Sequence, residues 1–118
     1  MKSQNLSVSG RILISEKNPA FRKAKAYVYL EDTTYADAES VVVAESVLEN
    51  INHSGNETEI PFRLEINDEN RIDPKNFYSV RVWINIDGEG EISKEDLLSM
   101  RAYRVLTHGF GDFVEIKL

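Results

Sequence analysis

The chain has 118 residues, a hydrophobic fraction of 42% and a formal net charge of −6. This length and composition predict a single globular domain over residues 1–118. The acidic balance argues against nucleic acid or an anionic membrane as a partner, because phosphate recognition needs a basic face. The lack of cysteine excludes disulfides and thiolate chemistry. Four cations within nine residues form a local exception, which we interpret as a solvated loop and strand start: Lys17, Arg22, Lys23 and Lys25.

Segment lengths and the first residues bear on the compartment. No stretch of the sequence approaches the length of a membrane-spanning helix, so no transmembrane segment is predicted. The first ten residues hold no apolar run typical of a signal peptide. A native start at Met1 therefore predicts a cytoplasmic protein, whereas removal of a signal peptide predicts a periplasmic or exported one.

Alternation of apolar and polar residues, the pattern of a half-buried strand, dominates the chain. In chain order it predicts strands over residues 6–14, 24–31, 60–67, 78–86 and 113–118. Two weaker strands are predicted over residues 40–48, where the in/out phase is unclear, and over residues 101–107. A helical turn over residues 36–45 is an alternative to the first of these. Ser93, with Asp96 three residues later, predicts a short capped helical turn.

About seven strands with Gly, Asn and Pro turns between them predict an all-β fold, an immunoglobulin-like antiparallel β-sandwich. Pro61 predicts that its strand is an edge or is bulged, because proline cannot donate to a sheet ladder. Pro74 before Tyr78 indicates a tyrosine corner, in which the phenol bonds upstream backbone; an ordinary core tyrosine is the alternative. The inward positions predict one core containing Ile12, Val28, Phe62, Leu64, Val80, Val82 and Ile84.

One acidic loop has the spacing of an EF-hand calcium loop, with oxygen ligands at alternate positions and Gly90 at the sharp turn. The candidate ligands at positions one, three, five, seven (by its backbone carbonyl) and twelve are Asn85, Asp87, Glu89, Glu91 and Asp96. Three positions depart from the pattern, so we expect weak Ca²⁺ binding at best, with a dissociation constant of roughly 10⁻⁴ to 10⁻³ M. A solvated acidic turn is the alternative.

Outward-facing aromatic residues indicate a candidate surface for a protein partner. Trp83 lies out of phase with the core positions of its strand, and Tyr27, Tyr29 and Phe113 share that phase. This pattern predicts either an exposed partner-binding patch or cross-strand pairs that cover the outer face of a sheet. The edge strand with Pro61 is a second candidate, because a partner can add a strand to an open edge.

Catalytic patterns are not found in the sequence. His53 and His108 each lie in a turn with no motif around them, which is typical of solvated surface. The carboxylates are spread over turns and outward strand positions, and no phosphate loop, nucleophile elbow or zinc-ligand spacing occurs. We therefore predict a non-enzymatic protein with no cofactor other than the weakly bound Ca²⁺.

Three parts of the chain resemble the YbaY/YscW-like bacterial lipoproteins, a family that includes pilotins of type III secretion. They are residues 8–14 with 24–32, residues 60–66 with 72–78, and residues 87–92 with 103–109. The resemblance implies an immunoglobulin-like β-sandwich and a non-enzymatic role. The family's signal peptide and lipidated cysteine do not occur in this sequence. We predict a non-catalytic module for protein interaction, or a chaperone-like one; the alternative is a domain that uses a degenerate calcium loop at 85–96 structurally.

Overall fold

The alternating segments form strands in the computed structural model, which describes residues 6–35, 39–67, 72–86 and 92–118. No helix occurs among these residues, and the prediction of an all-β fold is confirmed. The strands are β1 (Leu6–Ile14), β2 (Phe21–Asp32), β3 (Val41–His53), β4 (Thr58–Ile66), β5 (Tyr78–Asn85), β6 (Leu97–Leu98), β7 (Tyr103–Val105) and β8 (Phe113–Lys117).

The strands form two sheets that pack as a sandwich. The small sheet has the order β4-β1-β8, and the large sheet has the order β3-β2-β5-β6, with β7 also pairing with β5. All pairs are antiparallel except β1 with β8, which is parallel. Parallel neighbours need a long connection, and the first and last strands have almost the whole chain between them. The immunoglobulin-like label itself stays a prediction.

The core lies between the inner faces of the two sheets. All seven predicted core residues are buried in one hydrophobic cluster, so that prediction is confirmed. On β1 the inward side chains of Val8, Ile12 and Ile14 are fully buried. Polar side chains between them face outward, as the two-residue period of a strand requires.

β1 lies between β4 and β8, and Gly10 is the residue that permits this close approach. Gly10 pairs with Phe62 on one side and with Val114 on the other. A Cβ atom at residue 10 would overlap the carbonyl oxygen of Val114 and would lie 2.7 Å from the Phe62 ring. A glycine inside a strand is typical of such a site, where a neighbour occupies the space of the missing side chain.

Three local predictions need correction. The weak strand predicted over residues 40–48 runs from Val41 to His53, so the helical alternative is wrong for residues 41–45, while residues 36–38 lie outside the described part. The strand predicted over residues 101–107 is only Tyr103–Val105. The helical turn predicted after Ser93 ends at Asp96, because the next two residues pair with β5 as β6.

The predicted tyrosine corner is confirmed by its hydrogen bond. Tyr78 is 1% exposed, and its phenol oxygen accepts a hydrogen bond of 2.8 Å from the backbone N–H of Asp73. The bond spans the proline turn, in which the Asn76 N–H donates to the Asp73 carbonyl. The phenol thus holds the chain where it enters β5, the strand in the middle of the large sheet.

We predict that Tyr78→Phe destabilises the fold by about 1 kcal/mol, because the Asp73 N–H loses its acceptor. Chemical denaturation of both proteins measures the difference. Tyr35→Phe is the matched control, since Tyr35 is 72% exposed and should tolerate loss of its hydroxyl. A Tyr78→Phe protein as stable as the wild type would show that the corner bond contributes nothing.

Candidate protein-binding edge

The two outer strands of the small sheet are both protected against addition of another strand. β4 is an outer strand, as Pro61 predicts. Its outward positions carry Glu59, Arg63 and Glu65. Proline blocks an edge because it has no backbone N–H to donate. Charged residues block it because an added strand would have to displace the water around them.

β8, the other outer strand of this sheet, is covered by a tyrosine from β7. The Tyr103 hydroxyl accepts a hydrogen bond of 3.1 Å from the Lys117 N–H and lies 3.4 Å from the Lys117 carbonyl oxygen. The Tyr103 hydroxyl therefore engages the N–H and the carbonyl of Lys117, with which an incoming strand would have to pair. We therefore favour an outer strand of the large sheet over the predicted Pro61 edge as the candidate site for a protein partner.

β3 is an outer strand of the large sheet, and exposed Glu45 and Glu49 are its only charged residues. β2 pairs with one side of β3, and no strand in the described residues pairs with its other side. Its 13 residues include no proline, lysine or arginine. Three of its valines are exposed, Val41 at 58%, Val47 at 44% and Val42 at 41%. We call the outer side of this strand the β3 edge.

The middle of β3 has regular geometry, although both of its ends are irregular. Residues 44–48 pair in unbroken register with residues 26–30 of β2, and the register shifts lie on either side of this stretch. Near one shift, Asn50 has a positive φ of 57°. Bulges twist an edge away from incoming strands, so a regular middle is the part on which a strand could add.

The sequence pattern did not identify this edge, because the in/out phase of residues 40–48 could not be read. The outward residues Glu45 and Val47 are two positions apart, but the next outward residue, Val42, is three positions before Glu45. The period breaks there because the register shifts between Leu30 and Glu31 of β2. The signal that the sequence did contain is a valine-rich segment without proline or cations.

The predicted aromatic residues stack on one another on the outer face of the large sheet. Tyr27 stacks on Trp83, with ring centroids 4.7 Å apart, and lies beside Tyr29 at 6.4 Å. The Arg81 guanidinium lies over the Tyr29 ring at 4.7 Å. The geometry matches the cross-strand alternative, in which the rings cover the sheet.

This stacked face is continuous with the β3 edge. Val47 pairs with Tyr27, Tyr27 pairs with Trp83, and Trp83 pairs with Leu98, so one row crosses four strands. Phe113 does not belong to it. It pairs with Ser9 in the small sheet and lies beside the Arg11 guanidinium, which corrects its predicted placement with the other aromatics.

Each end of the aromatic stack is fixed by a buried carboxylate. At one end Arg81 donates two hydrogen bonds to a single oxygen of Glu31, at 3.0 and 2.7 Å. Glu31 and Arg81 lie on the same face of the sheet as the stack, and the side chain of Glu31 is 7% exposed. At the other end the Trp83 indole donates to Oδ2 of Asp96 at 2.8 Å. The stack is therefore held rigidly.

Asp96 also closes the loop that precedes it. Its Oδ1 accepts from the Ile86 N–H at 2.9 Å and from the Ser93 hydroxyl at 3.3 Å, and its Oδ2 accepts from the Ser93 N–H at 3.2 Å. The bond from the Ser93 N–H is one half of the predicted capping arrangement. The other half is not formed, because the Asp96 N–H donates to the Ser93 carbonyl and not to its hydroxyl. Burial alone would raise the pKa of the Asp96 carboxyl, but the hydrogen bonds from Trp83, Ile86 and Ser93 lower it below the ordinary value.

The candidate calcium ligands fall into two groups. Asp87, Glu89 and Glu91 lie outside the described residues. Asn85 and Asp96 are described and are both buried. Each of the two Asp96 carboxylate oxygens already accepts two hydrogen bonds, so calcium would have to replace some of these donors. No cluster of three or more metal-ligating side chains occurs in the described ranges, and the calcium site stays a prediction.

The two histidines differ in their surroundings. His53 is 2% exposed, which corrects its prediction as solvated surface. Its Nε2 lies 3.1 Å from the Asn18 carbonyl oxygen and its Nδ1 lies 2.7 Å from the Thr58 hydroxyl, so it joins the end of β3 and the start of β4 to the connection between β1 and β2. His108 is exposed and stacks on Phe77, with ring centroids 3.9 Å apart. Among the described contacts, no carboxylate lies beside either imidazole, and the Thr58 hydroxyl next to His53 donates to the Asn56 carbonyl.

The model of the family described as "Type III secretion system lipoprotein chaperone (YscW)" matches residues 3–118. The chain belongs to this family. The resemblance drawn from the sequence is thereby confirmed, and the family's description agrees with the prediction of a chaperone-like role. No curated protein matches the sequence.

A solved structure shares the fold. It is described as an alternative pilotin from the type II secretion system of Vibrio cholerae. It matches with a TM-score of 0.71 and 24% sequence identity, over 97% of this chain and 96% of that chain. Within the described residues of our protein, no helix has the length and apolar character needed to cross a membrane.

We predict that Asp96→Asn destabilises the protein by about 1–3 kcal/mol at neutral pH, because the amide NH₂ would face buried donors. The folded-state pKa of Asp96 is lowered, so its contribution is fully present above the ordinary aspartate pKa of about 3.9 and is lost as the pH falls through the lower folded value. Denaturation at pH 7 and at decreasing pH measures the difference between the two proteins.

The exposed neighbour Glu95 provides the control for this measurement, since Glu95→Gln removes the same charge from the same turn. Its stability should remain within error of the wild type. A gap between wild type and Asp96→Asn that stays constant down to the lowest pH would contradict a role for the ionised carboxylate.

The calcium hypothesis predicts that Ca²⁺ at about ten times its dissociation constant stabilises the fold by about 1.4 kcal/mol through mass action. Thermal melting in millimolar Ca²⁺ and in chelator measures this effect. Asp87→Ala should abolish it, and Glu16→Ala, which removes an exposed carboxylate elsewhere, should preserve it. If Ca²⁺ leaves the melting temperature of the wild type unchanged, the loop is a solvated turn.

Proposed function

We propose that this protein is a non-catalytic chaperone that holds an extended segment of a secretion-system protein by adding it to the β3 edge. The observation that carries the proposal is the difference between the edges. β4 has Pro61 and outward charges, and β8 is covered by the Tyr103 hydroxyl, whereas β3 has a regular middle and exposed valines. Membership of a secretion chaperone family supports a protein as the ligand.

Strand addition explains how such a site would bind with modest specificity. Backbone hydrogen bonds to an extended segment supply affinity without regard to sequence, and alternate side chains supply selectivity. Val47 on the outer face would contact an apolar side chain of the segment, because directly opposite residues of paired strands touch. The partner would extend the row from Val47 to Tyr27 and Trp83, so that the stacked aromatic face supports the segment.

The description of the family as lipoproteins supports a location outside the cytoplasm, at the outer membrane. A chaperone there would reach the membrane-facing parts of a secretion apparatus. Fractionation of cells that express the native gene tests this part of the proposal. Recovery of the protein only from the cytoplasmic fraction would contradict it.

Site-specific photo-crosslinking tests the binding edge. A benzophenone amino acid in place of Val47 should crosslink, in cells that contain the secretion apparatus, to a subunit of that apparatus identified by mass spectrometry. The same probe in place of Arg63 on β4 is the control, because Arg63 is also exposed but its strand is blocked. We expect the adduct from position 47 and not from position 63.

Two results would contradict the proposal. Equal crosslinking from positions 47 and 63 would show that contact with the subunit does not depend on the β3 edge. Failure of position 47 to form the adduct, in a variant that melts like the wild type, would show that β3 is not the site of contact.

A further inference from the structure

An apolar pocket opens at the end of the sandwich where β1 connects to β2. Its apolar lining comes from that connection, from the residue after β5 and from β6, and consists of Pro19, Ala20, Phe21, Ile86 and Leu97. Asn18 and the acidic residue Glu95 also border it. Phe21 belongs to the core cluster, so the floor of the pocket is fixed by the fold.

The size of the pocket limits what it can hold. Its cavity volume is about 150 Å³. An apolar cavity of about this volume takes up one benzene molecule in another protein. The pocket therefore fits one aromatic ring or one large aliphatic side chain, and it is too small for the acyl chain of a membrane lipid.

Cations without an ion-pair partner among the described residues flank the same chain segment. Lys17 lies just before the lining residues and Arg22 and Lys23 just after them, and all three are exposed. None of them takes part in an ion pair in the described ranges, whereas Arg11, Arg63 and Arg81 all do. Unpaired like charges close together repel one another, and an anionic ligand would relieve this.

The backbone holds one of these cations in an uncommon conformation. Lys23 has a positive φ of 58°, at the register shift between Phe21 and Ala24. Its N–H donates a hydrogen bond of 2.9 Å to the Asn52 side-chain oxygen, which fixes the bulge. A bulge redirects side chains at the end of a sheet, and here the bulge holds the backbone of Lys23 beside the pocket segment.

We propose that this end of the domain is a second peptide-binding site, where the pocket seats one phenylalanine or leucine side chain and Lys17, Arg22 and Lys23 bind acidic residues beside it. The partner is thus an acidic segment with a single large apolar residue. In a protein of net charge −6, this is a surface where three cations outnumber the one carboxylate of the pocket lining. The inference shares with the proposed function only the idea that the ligand is a protein segment.

The test is an NMR titration with a defined probe. The probe is an acetylated and amidated pentapeptide with a central phenylalanine and two aspartates on each side. Amide resonances of the pocket segment, residues 18–22, and of Leu97 should shift with saturation, whereas those in the middle of β3 should not. Two control peptides replace the phenylalanine by glycine or the four aspartates by lysines, and both should bind at least about tenfold more weakly.

Variants separate the two parts of the site. Lys17→Glu with Arg22→Glu should weaken binding on the order of tenfold, as expected for reversing two exposed charges. The matched control is Arg63→Glu with Lys75→Glu, which makes the same change in net charge at other exposed positions and should have a much smaller effect. Ala20→Leu adds bulk to the pocket lining and should weaken the phenylalanine peptide without affecting the glycine peptide.

Three outcomes would overturn the proposal. One is that the lysine peptide binds as well as the aspartate peptide. Another is that millimolar aspartate peptide shifts no pocket resonance. The third is that the peptide fails to bind while phosphatidylglycerol vesicles bind in a manner that depends on Arg22, which would make the basic turn a membrane contact. Because the probe does not involve the β3 edge, none of these outcomes decides the crosslinking result.

Discussion

The close approach of β1 to its two neighbours is the constraint on which the rest of the structure depends. β1 joins β4 and β8 into one sheet, and Gly10 lets the Val114 carbonyl and the Phe62 ring lie against the strand. Because the first and last strands pair, the chain is closed on itself, and the small sheet covers the apolar inner face of the large one. A side chain at residue 10 would push β8 or β4 outward and open the core.

This closure determines which backbone remains available to a partner. A sheet that does not close into a barrel has outer strands, and each is a template for another chain unless it is blocked. In the small sheet, Pro61 protects β4 and the Tyr103 hydroxyl protects β8. In the large sheet, the aromatic stack is fixed between Glu31 and Asp96 and gives β3 a rigid support. Rigid support favours binding, because an ordered site loses little entropy when a segment is added.

The parts of the fold that depend on a two-residue period could be predicted from the sequence. The core positions from Ile12 to Ile84, the tyrosine corner at Tyr78 and the outer position of the Pro61 strand all follow from alternation and from the chemistry of single residues. The parallel pairing of β8 could not be predicted, because it joins the two ends of the chain and leaves no local pattern. The β3 edge was missed because register shifts disturb its alternation, and His53 was misread because its burial depends on Asn18 and Thr58. Asp96 fits the spacing of a metal ligand in the sequence. Its carboxylate instead accepts hydrogen bonds from Trp83, Ile86 and Ser93, which the spacing does not reveal.

Hydrogen–deuterium exchange tests most directly the proposal that β3 is the strand on which a secretion-system protein docks. Amide exchange is compared, segment by segment, between the isolated protein and its purified complex with the secretion-system subunit. The account predicts slower exchange in the complex for β3 (Val41–His53) and unchanged exchange for β4 (Thr58–Ile66). Unchanged exchange in β3, or protection that appears in β4 instead, would contradict it.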